Sequence, residues 1–449
     1  MIMTSQKTGR LTLLLLSLFS LPLQATNLTD IVNQAVGNDA VILAARAQLD
    51  ADSELVPQSR SALLPSLGLT ANTRTIDRET NGGTNNLNER FNSNGYTARL
   101  TQPLFRADRW FTLNAAEASK KQAAAVYAEA RQELMLRAAT AYFNILRSQD
   151  NLSAAVSREA AFRQQLEQAN ERFKVGLIAA TDVYEAQAGF DLAKVERISS
   201  QEARHNSFNA LEQLTNQTYH EIDSLNRSMP VQGPSPSPLQ SWIDSALTNS
   251  QQLAAQKYQL AAVKQQLRAE KSGHLPTLDV TATYTHSEDG GTSFLGNESD
   301  TKTFALELSF PLFEGGNRSS KIREAHYRHE QAKQDFQNSY RQIRAQIQSQ
   351  HRTVTTDVLR IKARLTALKS TESAMEATEG GYEVGTRNIV DVLQAQNNSF
   401  NARRDYSNTL YDYIINLLTL KRLAGTLSPA DLEDLNRWLK PDVVTTTEG

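Results

Sequence analysis

The chain has 449 residues, a formal net charge of −2 and no cysteine. Balanced charge without a Lys/Arg block argues against nucleic acid as the main partner. The absence of Cys excludes disulfides, thiolate metal sites, a cysteine nucleophile and a lipidated N-terminal cysteine. At the start, Lys7 and Arg10 precede an apolar run over residues 11–23, and Ala25 offers a small residue for cleavage. This pattern predicts a secretory signal peptide over residues 1–25, the run being too short for a membrane anchor. No later stretch is apolar enough for a transmembrane helix, so the mature chain is expected to be soluble or to cross a membrane as strands.

From residue 26 the chain reads as two repeats, 26–216 and 239–425, joined by a linker over 217–238 and followed by a tail over 426–449. Ala35, Asn38, Leu49 and Leu64-Pro65 recur as Ala246, Asn249, Leu260 and Leu275-Pro276. Leu100, Pro103, Leu104 and Phe105 recur as Leu308, Pro311, Leu312 and Phe313. Such self-similarity marks an internal duplication. The linker carries Pro230, Pro234, Pro236 and Pro238, which cannot continue a helix.

Each repeat opens with a predicted helix of roughly 30 residues that stops before its Leu-Pro pair, where the α region is disfavoured. Two alternating runs follow, Leu67-Leu69-Ala71-Thr73 with Tyr96-Ala98-Leu100, and Leu278-Val280-Ala282-Tyr284 with Phe304-Leu306-Leu308-Phe310. Polar loops are expected between them, at 79–94 and 287–300. Four strands of about ten residues match the length of outer-membrane strands, although a small sheet in a soluble domain has the same alternation. Four strands cannot close a barrel, and an open edge is not tolerated in lipid. Three chains would supply twelve.

A helix over 107–174 is predicted next, free of Pro and Gly and roughly 100 Å long. Its stripe steps by four and three through Leu134, Ala138, Ala141, Ile145, Ser148, Leu152, Ala155, Glu159, Phe162, Leu166, Ala169 and Phe173. A period of 3.5 places it in a coiled-coil-like contact. Ile343, Ile347, Val354, Val358, Ile361, Leu365, Leu368, Met375 and Tyr382 keep the rhythm in the second repeat. Return helices are expected over 182–214 and 391–423, giving two long antiparallel hairpins and no compact core. The two turns repeat as well. Val175, Gly176, Asp182, Val183, Ala186 and Gln187 match Val384, Gly385, Asp391, Val392, Ala395 and Gln396. Each copy reads as a helix end, a glycine turn and a new helix capped by Asp.

His326 and His329, three apart on a helix beside Arg323 and Arg328, read as a solvated face rather than a metal site. No P-loop, GxGxxG, nucleophile elbow or HExxH is present. No enzyme activity, cofactor or metal is expected.

Taken together, the leader, the duplicated halves, LPSL and LPTL, QPLF and FPLF, and the turns VGLIAATDV and VGTRNIVDVLQAQ resemble the TolC family of outer-membrane channels. The resemblance covers residues 28 to 425. It implies a mixed α and β membrane protein, a homotrimer in which four strands per chain build a 12-stranded β-barrel in outer-membrane lipid. Long α-helical hairpins would form a periplasmic tunnel. It also implies a passive exit duct for efflux or type I secretion, opened by a periplasmic adaptor and an inner-membrane pump or ABC transporter. By motif position, Thr181 and Asp182 correspond to residues that latch onto Tyr382 and Arg387. Val175, Gly176, Leu177, Val384, Gly385 and Thr386 fall where an adaptor tip docks. Better-known members carry two lumen-facing Asp residues one turn apart. This chain has Asp391 and Gln394 there, so one acidic selectivity ring is expected. The rival reading is a trimeric coiled-coil scaffold of the periplasm or cell surface, which explains the helices but not the paired strands.

Overall fold

The computed structural model describes residues 27–80, 87–290 and 297–440. The predicted signal peptide and the last nine residues of the tail lie outside the described residues. In the first repeat, α1 (Leu28–Asn38), α2 (Ala40–Ser53) and α3 (Leu55–Ser61) lead into β1 (Ser66–Thr80) and β2 (Leu87–Phe105). Then come α4 (Ala107–Lys174) and α5 (Ala180–Thr215), followed by the short strand β3 (Ser224–Leu225). The second repeat runs α6 (Leu239–Asn249), α7 (Gln251–Ser272), β4 (Thr277–Asp289), β5 (Asn297–Ser309), α8 (Asn317–Glu383) and α9 (Ile389–Leu423). The chain closes with α10 (Pro429–Asn436) and β6 (Leu439–Lys440).

The opening helices are not single 30-residue rods. Asp39 and Ser250 interrupt them with extended backbone and cap the following helix, accepting from the Ile42 and Leu253 amides. Short polar side chains that satisfy orphan helical N–H groups make such a break inexpensive. Arg137 of α4 grips the Asp39 carboxylate through both guanidinium nitrogens, at 3.1 and 3.0 Å.

The four long strands form one antiparallel sheet in the order β1-β2-β4-β5, leaving β1 and β5 with open outer edges. Its register gathers Leu67, Leu100, Ala282 and Phe304 into one row, flanked by Leu69 and Ala98 and by Val280 and Leu306. The opposite face carries a row of Thr70, Thr97, Thr285 and Thr301. Phe304 and Leu306 stay 82% and 66% exposed in the single chain, an apolar band that no described element covers. The strands are longer than expected, 15, 19, 13 and 13 residues, and absorb most of the predicted loops. Their outer ends are polar yet paired, with Thr73 and Thr75 donating to Asn94 and Asn92 across the ladder at 2.7 and 2.9 Å.

Helix α4 packs along α5, and α8 along α9, as two antiparallel hairpins that also touch through α4 and α9. The two polar members of the α4 stripe are satisfied at the seam. Ser148 meets Ser207 at 2.8 Å, and buried Glu159 accepts from Arg163 and Arg197. A compact core does exist, contrary to the sequence reading. Around the middle of the hairpins, α1, α6, α10, β3 and β6 wrap Tyr142, Phe143, Ile145, Leu211, Ile347 and Ile414 in one apolar cluster. The linker and tail residues meet there: β3 pairs with β6, and Trp438 packs against the cluster. No described helix is long and apolar enough to cross a membrane.

Candidate functional site

The two hairpin turns share one construction. Helix α4 ends with Gly176 at φ +75° and α8 with Gly385 at φ +77°, the left-handed region that suits a residue without Cβ. The Gly176 amide donates to Phe173 O at 2.9 Å and the Leu177 amide to Arg172 O at 2.9 Å. In the second turn Gly385 donates to Tyr382 O at 3.2 Å and Thr386 to Gly381 O at 2.8 Å. Both are Schellman caps that close the last carbonyls of a long helix. Val175, Leu177 and Val384 project outward, 69%, 73% and 75% exposed, so each cap presents an apolar tip to its surroundings.

The return helices begin differently from one another and from expectation. Asp182 and Asp391 are not the N-caps; Ala179 and Asn388 are. Ala179 supplies no side-chain cap, whereas Asn388 and Asp391 form a reciprocal capping box, with the Asp391 amide donating to Asn388 Oδ1 at 2.8 Å. Acids in the first turn still complement the helix dipole. Arg387 lies 3.9 Å from the same Asp391 carboxylate. Gln394 stands one turn further along the exposed side of α9 and donates to Asn398 at 3.0 Å.

Between the turns, the two hairpins meet through a small apolar cluster of Phe162, Ala169, Ala186, Ala193, Tyr382, Ile389, Val392 and Leu393. Gly189 lets three helices converge, because a Cβ there would sit 2.9 Å from the Phe162 ring. Tyr382 is buried in this cluster, and the Arg172 guanidinium lies over its ring at 4.4 Å. Its hydroxyl is buried and has no hydrogen-bond partner among the described residues. The structure brings Tyr382, Arg387, Asp391 and Gln394 to one hairpin end and Val175, Gly176, Leu177, Thr181 and Asp182 to the other. Within one chain, however, no described hydrogen bond or ion pair joins Thr181 or Asp182 to Tyr382 or Arg387. Arg172 and Gly189 escaped the sequence reading. The signal for Gly189 was an isolated glycine inside an otherwise regular helical pattern.

The sequence matches the outer membrane efflux protein family over residues 31–217 and 242–426. The chain belongs to the outer membrane efflux protein family. Outer membrane protein TolC of Vibrio cholerae is 35% identical over 424 residues, spanning 93% of this chain and 94% of that protein. TolC of Escherichia coli is 32% identical, over 97% and 89% of the two chains. The proteases secretion protein PrtF of Dickeya chrysanthemi is 27% identical, over 95% and 94%. Among solved structures, the Campylobacter jejuni CmeC outer membrane channel shares the fold with a TM-score of 0.77 at 18% identity, covering 93% of this chain and 90% of that one. Family members are channels rather than enzymes, and they act as trimers with adaptor and pump components. This member is an outer-membrane exit duct for efflux or type I secretion, and its helical hairpins form the periplasmic tunnel.

Proposed function

We propose that the duct is a passive homotrimer whose two glycine turns form its periplasmic gate, opened when a periplasmic adaptor coupled to an inner-membrane pump or ABC transporter docks on them. The observation that carries this reading is the open-edged sheet. Its uncovered apolar face and two unpaired edges are compatible with lipid only when copies of the chain pair edge to edge. Three copies give twelve strands and place the threonine face inside the barrel.

At the gate, Thr181 and Asp182 are proposed to latch onto Tyr382 and Arg387 when hairpins close. The buried, unpartnered Tyr382 hydroxyl supports this, because a buried donor left unmet costs about 1–3 kcal/mol and a carboxylate is a fitting acceptor. Val175, Gly176, Leu177, Val384, Gly385 and Thr386 form the adaptor-facing tips, and three Asp391 carboxylates form the single acidic ring, with Gln394 above it. Efflux and protein export share this machinery: the relatives include both TolC proteins and a proteases secretion protein. Deleting the gene and scoring drug sensitivity together with export of secreted proteins tests the reading. Loss of either, restored by the intact gene, is the expected outcome. A deletion strain unchanged in both contradicts it.

A further inference from the structure

The polar contacts between the two hairpins are unevenly distributed along their length. Near the turns the hairpins touch only through the apolar cluster around Phe162, Tyr382 and Leu393 and the Arg172–Tyr382 stacking. Among the described residues no hydrogen bond or ion pair crosses the seam there. The first to cross is Arg404 of α9 to Glu196 of α5, at 3.6 Å. From that level away from the turns the seam is fastened repeatedly. Ser407 and Tyr411 of α9 donate to Asp150 of α4, Arg147 pairs with Asp412, and Arg422 pairs with Glu133 at 3.1 Å.

Glu196 and Arg404 are also the centre of a larger chain of charges. Arg158 of α4 pairs with the other oxygen of Glu196. Arg404 reaches Asp405 at 3.5 Å, and Asp405 holds Arg364 of α8 at 2.9 Å. The chain therefore ties all four long helices together. At 1.5 Å per residue, Arg158, Glu196, Arg364 and Arg404 stand about 22 to 28 Å from their helix ends at the turns, so they share one level. These side chains are partly shielded from water, which leaves their attraction stronger than that of fully exposed pairs.

We propose that Glu196 and Arg404 are positioning residues of the gate, the fulcrum beyond which the hairpins stay fastened and below which they part. This rests on the reading of the turns as the gate. A tip held by apolar contact and the Arg172–Tyr382 stacking separates without breaking an ion pair, whereas parting at Glu196 takes Arg404 from it. Parting further along breaks the bonds to Asp150 and the Arg147–Asp412 and Arg422–Glu133 pairs in turn. Opening is therefore confined to the last ~20 Å of the tunnel, and the apolar cluster around the middle of the hairpins does not move.

The test uses the absence of native cysteine. In a Ser407→Cys variant of the full-length trimer, the thiol lies just beyond the fulcrum in a position that is 6% exposed. Its rate of reaction with a neutral thiol reagent is measured with and without Glu196→Gln or Arg404→Gln. At least a tenfold faster reaction is expected in both, and no change with Arg404→Lys, while trimer melting shifts little. Rates unchanged by both neutralising variants overturn it. So does acceleration by Arg404→Lys equal to that of Arg404→Gln, since bulk packing rather than charge would then be responsible. Because the readout needs no opening of the latch, it separates failure of the fulcrum from failure of the gate. The latch is judged independently, by channel conductance.

Discussion

Asp391 serves two ends at once. Its backbone and side chain complete the capping box with Asn388, and in the proposed trimer its carboxylate supplies the acidic ring. Three like charges crowded at a constriction repel one another and draw in a cation, which lowers that repulsion. Gln394, one turn along, contributes no charge. Gln394→Asp should therefore raise the cation-to-anion permeability ratio and sharpen block by trivalent cations several-fold. Reversal potentials across a salt gradient report the change, and an unchanged potential would show that α9 does not line the constriction at this position. Asp391→Asn is a less clean probe, because it also disturbs the cap. Asn388→Ala separates the two roles: it should lower stability by about 1 kcal/mol while leaving selectivity intact.

Asp39 offers a second residue-scale prediction, in pH. Burial pushes its carboxyl up, but the bonds from Arg137, the Ile42 and Val41 amides and the Arg137 charge outweigh burial and hold it below the ordinary 3.8. A depressed folded-state pKa adds stability that is fully present above the unfolded value and disappears as pH falls through the folded one. The melting temperature of the native protein should therefore exceed that of Asp39→Asn at pH 6 to 8. The gap should close as the pH drops below about 3.8. A gap independent of pH would mean that the cap acts through shape alone.

At the scale of elements, the helices were the most legible. A run free of Pro and Gly with a 3.5-residue stripe predicts 107–174, and α4 spans Ala107–Lys174. The strand ends were not legible, because Thr, Asn and Ser read as loop until a partner strand is known to stand opposite with matching side chains. The breaks at Asp39 and Ser250 are hidden for a related reason: no Pro announces them, Gly37 before Asp39 is a lone glycine without a counterpart before Ser250, and the cap residues are common inside polar helices. At the two turns, the glycines and the Asp positions are visible as a repeat. The convergence of three helices on Gly189 was not, since it depends on which faces meet. Gly189→Val forces the Phe162 ring aside and should lower the melting temperature of the trimer. Overpacking of this kind typically costs about 1–3 kcal/mol. A melting temperature equal to the parent's would mean that the hairpins accommodate the change by sliding.

At the scale of the molecule, the single chain is visibly unfinished. Its sheet has two open edges and an uncovered apolar face, and at the turns a buried hydroxyl lacks an acceptor. In the proposed trimer, edge-to-edge assembly closes the sheet, and the proposed latch supplies the acceptor. The proposed gate must rest on interactions weak enough for a docked adaptor to undo. The proposed polar latch, whose pairs are typically worth about 0 to 1 kcal/mol each near a surface, meets that requirement beside the small apolar cluster around Phe162 and Tyr382. In the proposed gate, the apolar cluster around the middle of the hairpins and the charged fulcrum keep the remainder in place while the turns move.

The most direct measurement of this account is single-channel conductance of the purified trimer in planar lipid bilayers, comparing the native chain with a Tyr382→Phe, Arg387→Ser double variant. Removing the phenol and the guanidinium should release the turns and raise conductance at least twofold without the adaptor. Conductance equal to that of the native chain would contradict the assignment of the two turns as the gate.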